Sequence, residues 1–237
     1  GMGTITDSLS AIRYHVFDKK QLTMAELKHS LKTNFQDTPA IRKKLWEETP
    51  KYGNDDDYAD DILRQVFEMY FRAIDGRPTA RGGTFRINLL PTTVHVYFGS
   101  KIGATPDGRY AHTPLSEGIS PVQGADKHGP TAVIKSAAKI DHLRTGGTLL
   151  NQKFTPQLLE SDAGLDRVAQ LIRAYFYMDG HHIQFNVVTA DTLRKAQKNP
   201  EEYKYLIVRV AGYSDYFVDL TPELQEEIIR RTEHMEF

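Results

Sequence analysis

In the second half of the chain, short apolar runs alternate with amphipathic helical patterns, and this alternation constrains the fold more than any other feature. Residues 148–154, 182–188 and 205–210 read as strands. Between the strands, residues 165–177 and 190–197 carry apolar positions at helical spacing. After the last strand, Thr221 stands as an N-cap with Pro222 at the first helical position. Leu224, Ile228 and Ile229 then share the packing face of a closing helix. Strand, helix, strand in this order predicts an α/β fold.

The first third reads as helical. Leu9, Ile12 and Val16 fall on one face after a cap expected at Asp7 or Ser8. Thr23 and Glu26 form a capping box, and Thr38 with Pro39 opens a short helix carrying Ile41, Leu45 and Trp46. Asn54 and the aspartates Asp55, Asp56 and Asp57 precede a longer helix, with Tyr58, Ile62, Val66, Met69 and Tyr70 expected inward. Three adjacent aspartates also suit a metal, but acidic side chains in a first helical turn are the commoner pattern. Residues 84–98 are rich in β-branched and aromatic side chains and predict one or two strands broken near Pro91. Residues 99–129, crowded with Gly, Pro and Asp, predict a long ordered loop. Its GATPDGR stretch lacks the glycine spacing and lysine of a phosphate-binding loop and reads as a turn. A helix follows from Pro130 through Ala138.

Composition narrows the functions available. The 237 residues suffice for one large or two small domains. Thirty basic and 31 acidic side chains leave a formal charge of -1, which favours neither nucleic acid nor an anionic membrane as partner. No stretch approaches the roughly 20 apolar residues of a membrane span, and no signal-peptide pattern opens the chain, so a cytoplasmic location is expected. The chain has no cysteine, which excludes disulfides, thiolate metal sites and cysteine nucleophiles within it. Gly1 ahead of Met2 is either left from tag cleavage or, with Met2, internal to a longer parent chain.

Gly212 follows the last apolar run, in the block LIVRVAGYSDYFVDLTPELQEEIIRRTEHMEF over residues 206–237. The bland reading is a turn glycine that supplies a backbone angle other residues resist. A second reading, radical chemistry, comes only from the resemblance of the whole block to a known family. An unpaired electron on an α-carbon delocalises between amide nitrogen and carbonyl only if the carbon becomes planar, and a Cβ would crowd that planar centre. Such a site needs shielding. Val210, Ala211, Tyr213, Tyr216, Phe217 and Val218 offer apolar cover, whereas Arg209, Ser214 and Asp215 need polar partners if buried.

The whole block resembles the radical-bearing C-terminus of glycyl radical enzymes, the family of pyruvate formate-lyase and the glycerol and diol dehydratases. The resemblance runs on through TVHVYFGSKIGATPDGRYAHTPLSEGISPVQGADKHGPTAVIKSAAKID, GTLLNQKFTPQLL and HHIQFNVVTADTLRKAQKNPEEYKYLIVRVAGY, and GMGTITDSLSAIRYHVF continues it at the start. It implies the C-terminal third of such an enzyme. The fold would be the C-terminal part of an α/β barrel, with a helical N-terminal segment, half-barrel strands with helices, and a terminal radical loop and helix. Residues 1–204 would belong to the barrel and 205–237 to a glycyl radical subdomain. Gly212 would be the radical site, with Arg209, Val210, Ala211, Tyr213 and Ser214 as its loop neighbours. Gln184 and Asn186, on one face of a strand, are candidates to line the barrel near it. His181 and His182 read as packing or surface residues.

The resemblance also implies what the chain lacks. The family's catalytic cysteine sits in a G-C-V-E type motif that does not occur here. In the implied mechanism a radical S-adenosylmethionine activating enzyme removes a Gly212 α-hydrogen, Gly212 oxidises the cysteine, and the thiyl takes hydrogen from substrate. The A-G-Y-S form of the loop, GTLLNQKF and NDDDY point to the dehydratase branch, which eliminates water or another leaving group from a small polar substrate such as a diol. The chain alone would then be inactive, with no bound cofactor and no metal. Its partners would be the activating enzyme, the cysteine-bearing part or a full-length homologue, and further copies in a homo-oligomer. Alternatives are a stand-alone radical carrier that complements a pyruvate formate-lyase-like partner, with formate acetyltransferase activity residing there, or a non-catalytic remnant. Without the rest of a barrel, the radical loop is expected to be partly exposed.

Overall fold

The computed structural model describes residues 1–236; Phe237, the end of the expected subdomain, lies outside the described residues. Helix α1 (Met2–Ala11) begins directly after Gly1 and is buried on most sides. The cap expected at Asp7 or Ser8 is not there: both sit inside the helix. Asp7 Oδ1 instead accepts from the Tyr52 N–H at 2.8 Å. The helix widens into a π-helical stretch, Ile12–Asp18. Thr4 of α1 is tied to the long loop, exchanging hydrogen bonds with Ser116 at 3.0 and 2.9 Å.

Helices α2 (Met24–Lys32) and α3 (Pro39–Glu47) start where the caps predict, and both arms of the Thr23–Glu26 box are present. Asp56 caps α4 (Asp57–Ile74), accepting from the Tyr58 N–H. Asp55, Asp57 and Asp60 all pair with Lys139, and Asp55 also with Lys135, which explains the acidic run by ion pairing with residues 135–139. α4 turns Ile62, Leu63, Val66 and Phe67 into the main core, while Met69 and Tyr70, expected inward, are exposed.

Residues 84–98 depart most from expectation. Among the described residues they form no strand, only isolated bridges of Thr84 to Pro78 and Leu89 to Thr148. Residues Val94–Lys101 are instead helix α5, which packs on the closing helix. Its turns are set by that contact and by Gly99, whose Cβ would lie 2.3 Å from the Thr113 carbonyl. Tertiary packing overrides the strand preference of Val, Tyr and Phe here.

The loop after α5 is ordered by its own side chains. Buried Arg109 donates to the carbonyls of Gly103, Tyr110 and Thr113, so GATPDGR is a structural turn. Then come α6 (Gly129–Ala137), β1 (Leu150–Phe154), α7 (Asp162–Tyr177), β2 (Ile183–Val187) and α8 (Ala190–Lys198). They are followed by β3 (Ile207–Arg209), β4 (Ser214–Tyr216), α9 (Pro222–Arg230) and β5 (Glu233–His234). β1 runs parallel to β2 on one side and to β5 on the other. β3 and β4 form an antiparallel hairpin, with Arg209 opposite Ser214.

Two apolar clusters matter for the site. The larger joins α4, α6, α7 and β1. The other gathers Val188, Leu193, Val208, Val210, Phe217, Leu224 and Ile228, so α8 packs with the hairpin and α9. Among the described residues no helix is long and apolar enough to cross a membrane.

Candidate radical site

Gly212 lies at the tip of the β3–β4 hairpin. The turn is closed by Val210 N–H donating to the Tyr213 carbonyl at 2.9 Å. Gly212 has φ +84°, in the left-handed region that disfavours a side chain. A Cβ there would nevertheless have room, its nearest neighbours being the Leu90 methyls at 3.7 and 3.9 Å. The glycine requirement is therefore one of backbone angle, not of crowding in the closed-shell loop. Val210 and Ala211 are buried, Tyr213 is half-buried, and Gly212 and Ser214 are exposed.

Below the tip, a polar floor from β1 and β2 holds the loop. Gln184 and Asn186 are both buried and face it. Asn186 acts as a surrogate strand for Arg209, donating to its carbonyl and accepting from its N–H, both at 2.8 Å. Gln184 Oε1 accepts from the Gly212 N–H at 3.1 Å and from Arg209 Nη2 at 3.0 Å. Gln184 Nε2 donates to the Val210 carbonyl at 3.3 Å and to Asn151 Oδ1. Arg209 completes its contacts through Ser214 Oγ at 3.1 Å. His181 is exposed and His182 half-buried, and neither has a hydrogen bond to the loop among the described residues.

Sequence reasoning missed the charged layer beneath this floor. Arg231 Nη2 donates to the Val210 carbonyl at 2.9 Å and Nη1 to the Arg209 carbonyl at 3.3 Å. Its charge is met by Glu227, through Nε–Oε1 at 3.1 Å and Nη2–Oε2 at 2.8 Å. Gln123 Nε2 donates to Glu227 at 3.0 Å, and His95 Nε2 stands 3.7 Å away. Burial pushes the Glu227 carboxyl up, but Arg231 and His95 outweigh it and hold it below the usual carboxylate range. The i,i+4 spacing of Glu227 and Arg231 in QEEIIRR is the sequence signal that could have found this pair.

Lys153, also buried, donates to the Ile229 carbonyl at 2.8 Å and faces Glu233 at 3.8 Å. Burial lowers its pKa to about 8 against the pull of Glu233. Among the described residues no group of His, Cys, Asp or Glu has the arrangement of a metal site.

This geometry can present a glycine α-carbon at a hairpin tip whose backbone is pinned from the interior. The sequence of that tip matches a known family: residues 115–218 match the "Glycine radical" family model and residues 1–99 the "Pyruvate formate lyase-like" model. The chain belongs to the glycyl radical enzymes. It is 58% identical over 233 residues to trans-4-hydroxy-L-proline dehydratase of Clostridioides difficile, covering 98% of this chain and 30% of that protein. Isethionate sulfite-lyase of Bilophila wadsworthia is 46% identical over 239 residues, covering 99% of this chain and 28% of the lyase. The crystal structure of hydroxyproline dehydratase from C. difficile, with trans-4-hydroxy-L-proline bound, superposes with a TM-score of 0.97 at 58% identity. It covers 100% of this chain and 30% of the crystallised one. The chain thus spans about a third of these glycyl radical enzymes and corresponds to the C-terminal part of their barrel.

Proposed function

We propose that this chain is the radical-storing portion of a dehydratase-type glycyl radical enzyme. Gly212 gives up one α-hydrogen atom to a radical S-adenosylmethionine activating partner and keeps the unpaired electron on its α-carbon. A cysteine on polypeptide outside this sequence then reduces Gly212 by returning a hydrogen atom, and the resulting thiyl acts on substrate. The observation that carries this reading is the pinned glycine at φ +84° within a stretch that matches the glycine-radical family model. With no cysteine of its own, the chain alone has no turnover.

The dehydratase branch is favoured by the relative with 58% identity, which is named for loss of water. The sulfite-lyase at 46% identity favours the broader class, elimination of a leaving group from a small polar substrate. Acetyl transfer, the pyruvate formate-lyase reaction, has no such support among these relatives. A stand-alone radical carrier is disfavoured because the match runs over nearly the whole chain, including residues 1–99, far beyond the radical loop. Residues 205–237 act in this reading as the glycyl radical subdomain, seated on the barrel portion 1–204, in an anaerobic cytoplasm that spares the radical. Partners are the activating enzyme, the cysteine-bearing part and further copies of the chain.

The test is electron paramagnetic resonance after anaerobic activation. A glycine-centred doublet is expected, and it should vanish in Gly212→Ala. Absence of any signal with a competent activating enzyme would leave the remnant reading in its place.

A further inference from the structure

Gln184 is buried, and both ends of its carboxamide face the radical loop. Its orientation is dictated by its neighbours. Two donors, the Gly212 N–H and Arg209 Nη2, converge on Oε1, while Nε2 meets the Val210 carbonyl and Asn151 Oδ1. Turning the amide over would oppose donors to donors and acceptors to acceptors.

We propose that Gln184 is a positioning residue for radical storage, its Oε1 setting the share of spin that the Gly212 amide nitrogen takes, with Arg209 opposing it. The proposal rests on Gly212 being the radical site. Loss of the Gly212 hydrogen atom leaves one electron on carbon. The amide nitrogen donates toward that carbon, so its N–H becomes more positive. An acceptor placed 3.1 Å away is then bound more tightly in the radical than in the closed-shell glycine. Only an interaction stronger in one state shifts the balance between them. Arg209 draws on the same oxygen at 3.0 Å and weakens it as an acceptor for Gly212. Gln184 transfers no proton or electron itself. Gln184, Asn151 and Val210 are buried, Arg209 is half-buried and Gly212 is exposed, so Gln184 grips the Gly212 N–H from the interior side.

Three variants separate this role from simple support of the loop. Gln184→Met keeps similar length without an acceptor, Gln184→Glu keeps an acceptor oxygen, and Arg209→Met removes the competing donor. Amide hydrogen exchange, followed by nuclear magnetic resonance in the unactivated protein, reads the Gly212 N–H directly. In Gln184→Met it should exchange about tenfold faster, the loss of one partly buried hydrogen bond, while the Val208 amide stays slow. Gln184→Glu should restore protection. After anaerobic activation, electron–nuclear double resonance reads the hyperfine coupling of the amide proton. That coupling should shrink in Gln184→Met, recover in Gln184→Glu and grow in Arg209→Met. Equal Gly212 exchange in wild type and Gln184→Met overturns the proposal, as does an amide coupling that is the same in all variants. If the wild type forms no radical with a competent activating enzyme, the radical reading and this role fall together. A normal wild-type radical with an unaltered Gln184→Met signal removes Gln184 alone.

Discussion

The φ of +84° at Gly212 and the open space beside its α-carbon together decide how a substitution behaves. Gly212→Ala meets no clash, so its cost is the left-handed backbone strain of an L-residue, about 1–2 kcal/mol. The variant should therefore fold, with thermal unfolding only a few degrees below wild type, yet carry no radical signal after activation. Asp7 offers a second residue-level prediction. Burial raises its pKa from 3.8 to about 7, against the opposing pull of Lys51 and the Tyr52 N–H. Between those values the folded chain holds a proton that the unfolded chain has released. The stabilising contribution is thus full below 3.8 and is lost as pH rises through 7. Asp7→Asn keeps an acceptor for the Tyr52 N–H and stays neutral. Its urea midpoint, relative to wild type, should rise from pH 5 to pH 7.5 and then level off. A flat difference would show that Asp7 does not titrate in this window. The placement of Gln184 and Asn186 beside the Gly212 turn was legible, because side chains alternate along β2 and a glycine ends the last apolar run. Asp7 was not, because an acidic residue near a chain start looks like a cap until its burial is known.

Helix α9 ties the Gly212 hairpin to the sheet through a single turn of its surface. Thr221 caps it by accepting from the Leu224 N–H, and Glu227 and Arg231 meet beneath the hairpin. Glu227→Gln would leave a buried guanidinium without its counter-charge, and breaking such a pair costs about 3–5 kcal/mol. Chemical denaturation should show that loss, whereas Arg230→Gln, with no such pairing among the described residues, should sit close to wild type. The capped helices were legible in the sequence because each cap is a local pattern of a few residues. Helix α5 was not. Its Val, Tyr and Phe content argues for a strand, and only the long-range contact with α9 and the tight approach at Gly99 make it helical. The return strand β4 was also missed, since three residues of SDY carry too little alternation to announce a hairpin.

The molecule exposes 12269 Å², against about 10,800 Å² for a monomeric chain of 237 residues. The excess is apolar in part: Tyr177 is 91% and Tyr205 88% exposed. Surface in excess of a compact monomer's is what a chain that packs against other polypeptide leaves exposed. Sedimentation equilibrium of the isolated chain should show concentration-dependent association, and a clean monomer at every concentration would argue that the excess is only an extended outline. The whole-molecule arrangement was legible as α/β from the alternation of strands and helices, but the pairing of β5 beside β1 was not, because a two-residue strand has no sequence signature. That pairing has a mechanical consequence. α9 is fastened at both ends, by the hairpin and by β5, so Gly212 cannot be lifted as a free flap. Moving it outward means either stretching the hairpin off Gln184, Asn186 and Arg231 together or unzipping β5 and carrying α9 and Arg231 along as one lever. In the second case the hinge lies not at the glycine but at the far edge of the sheet.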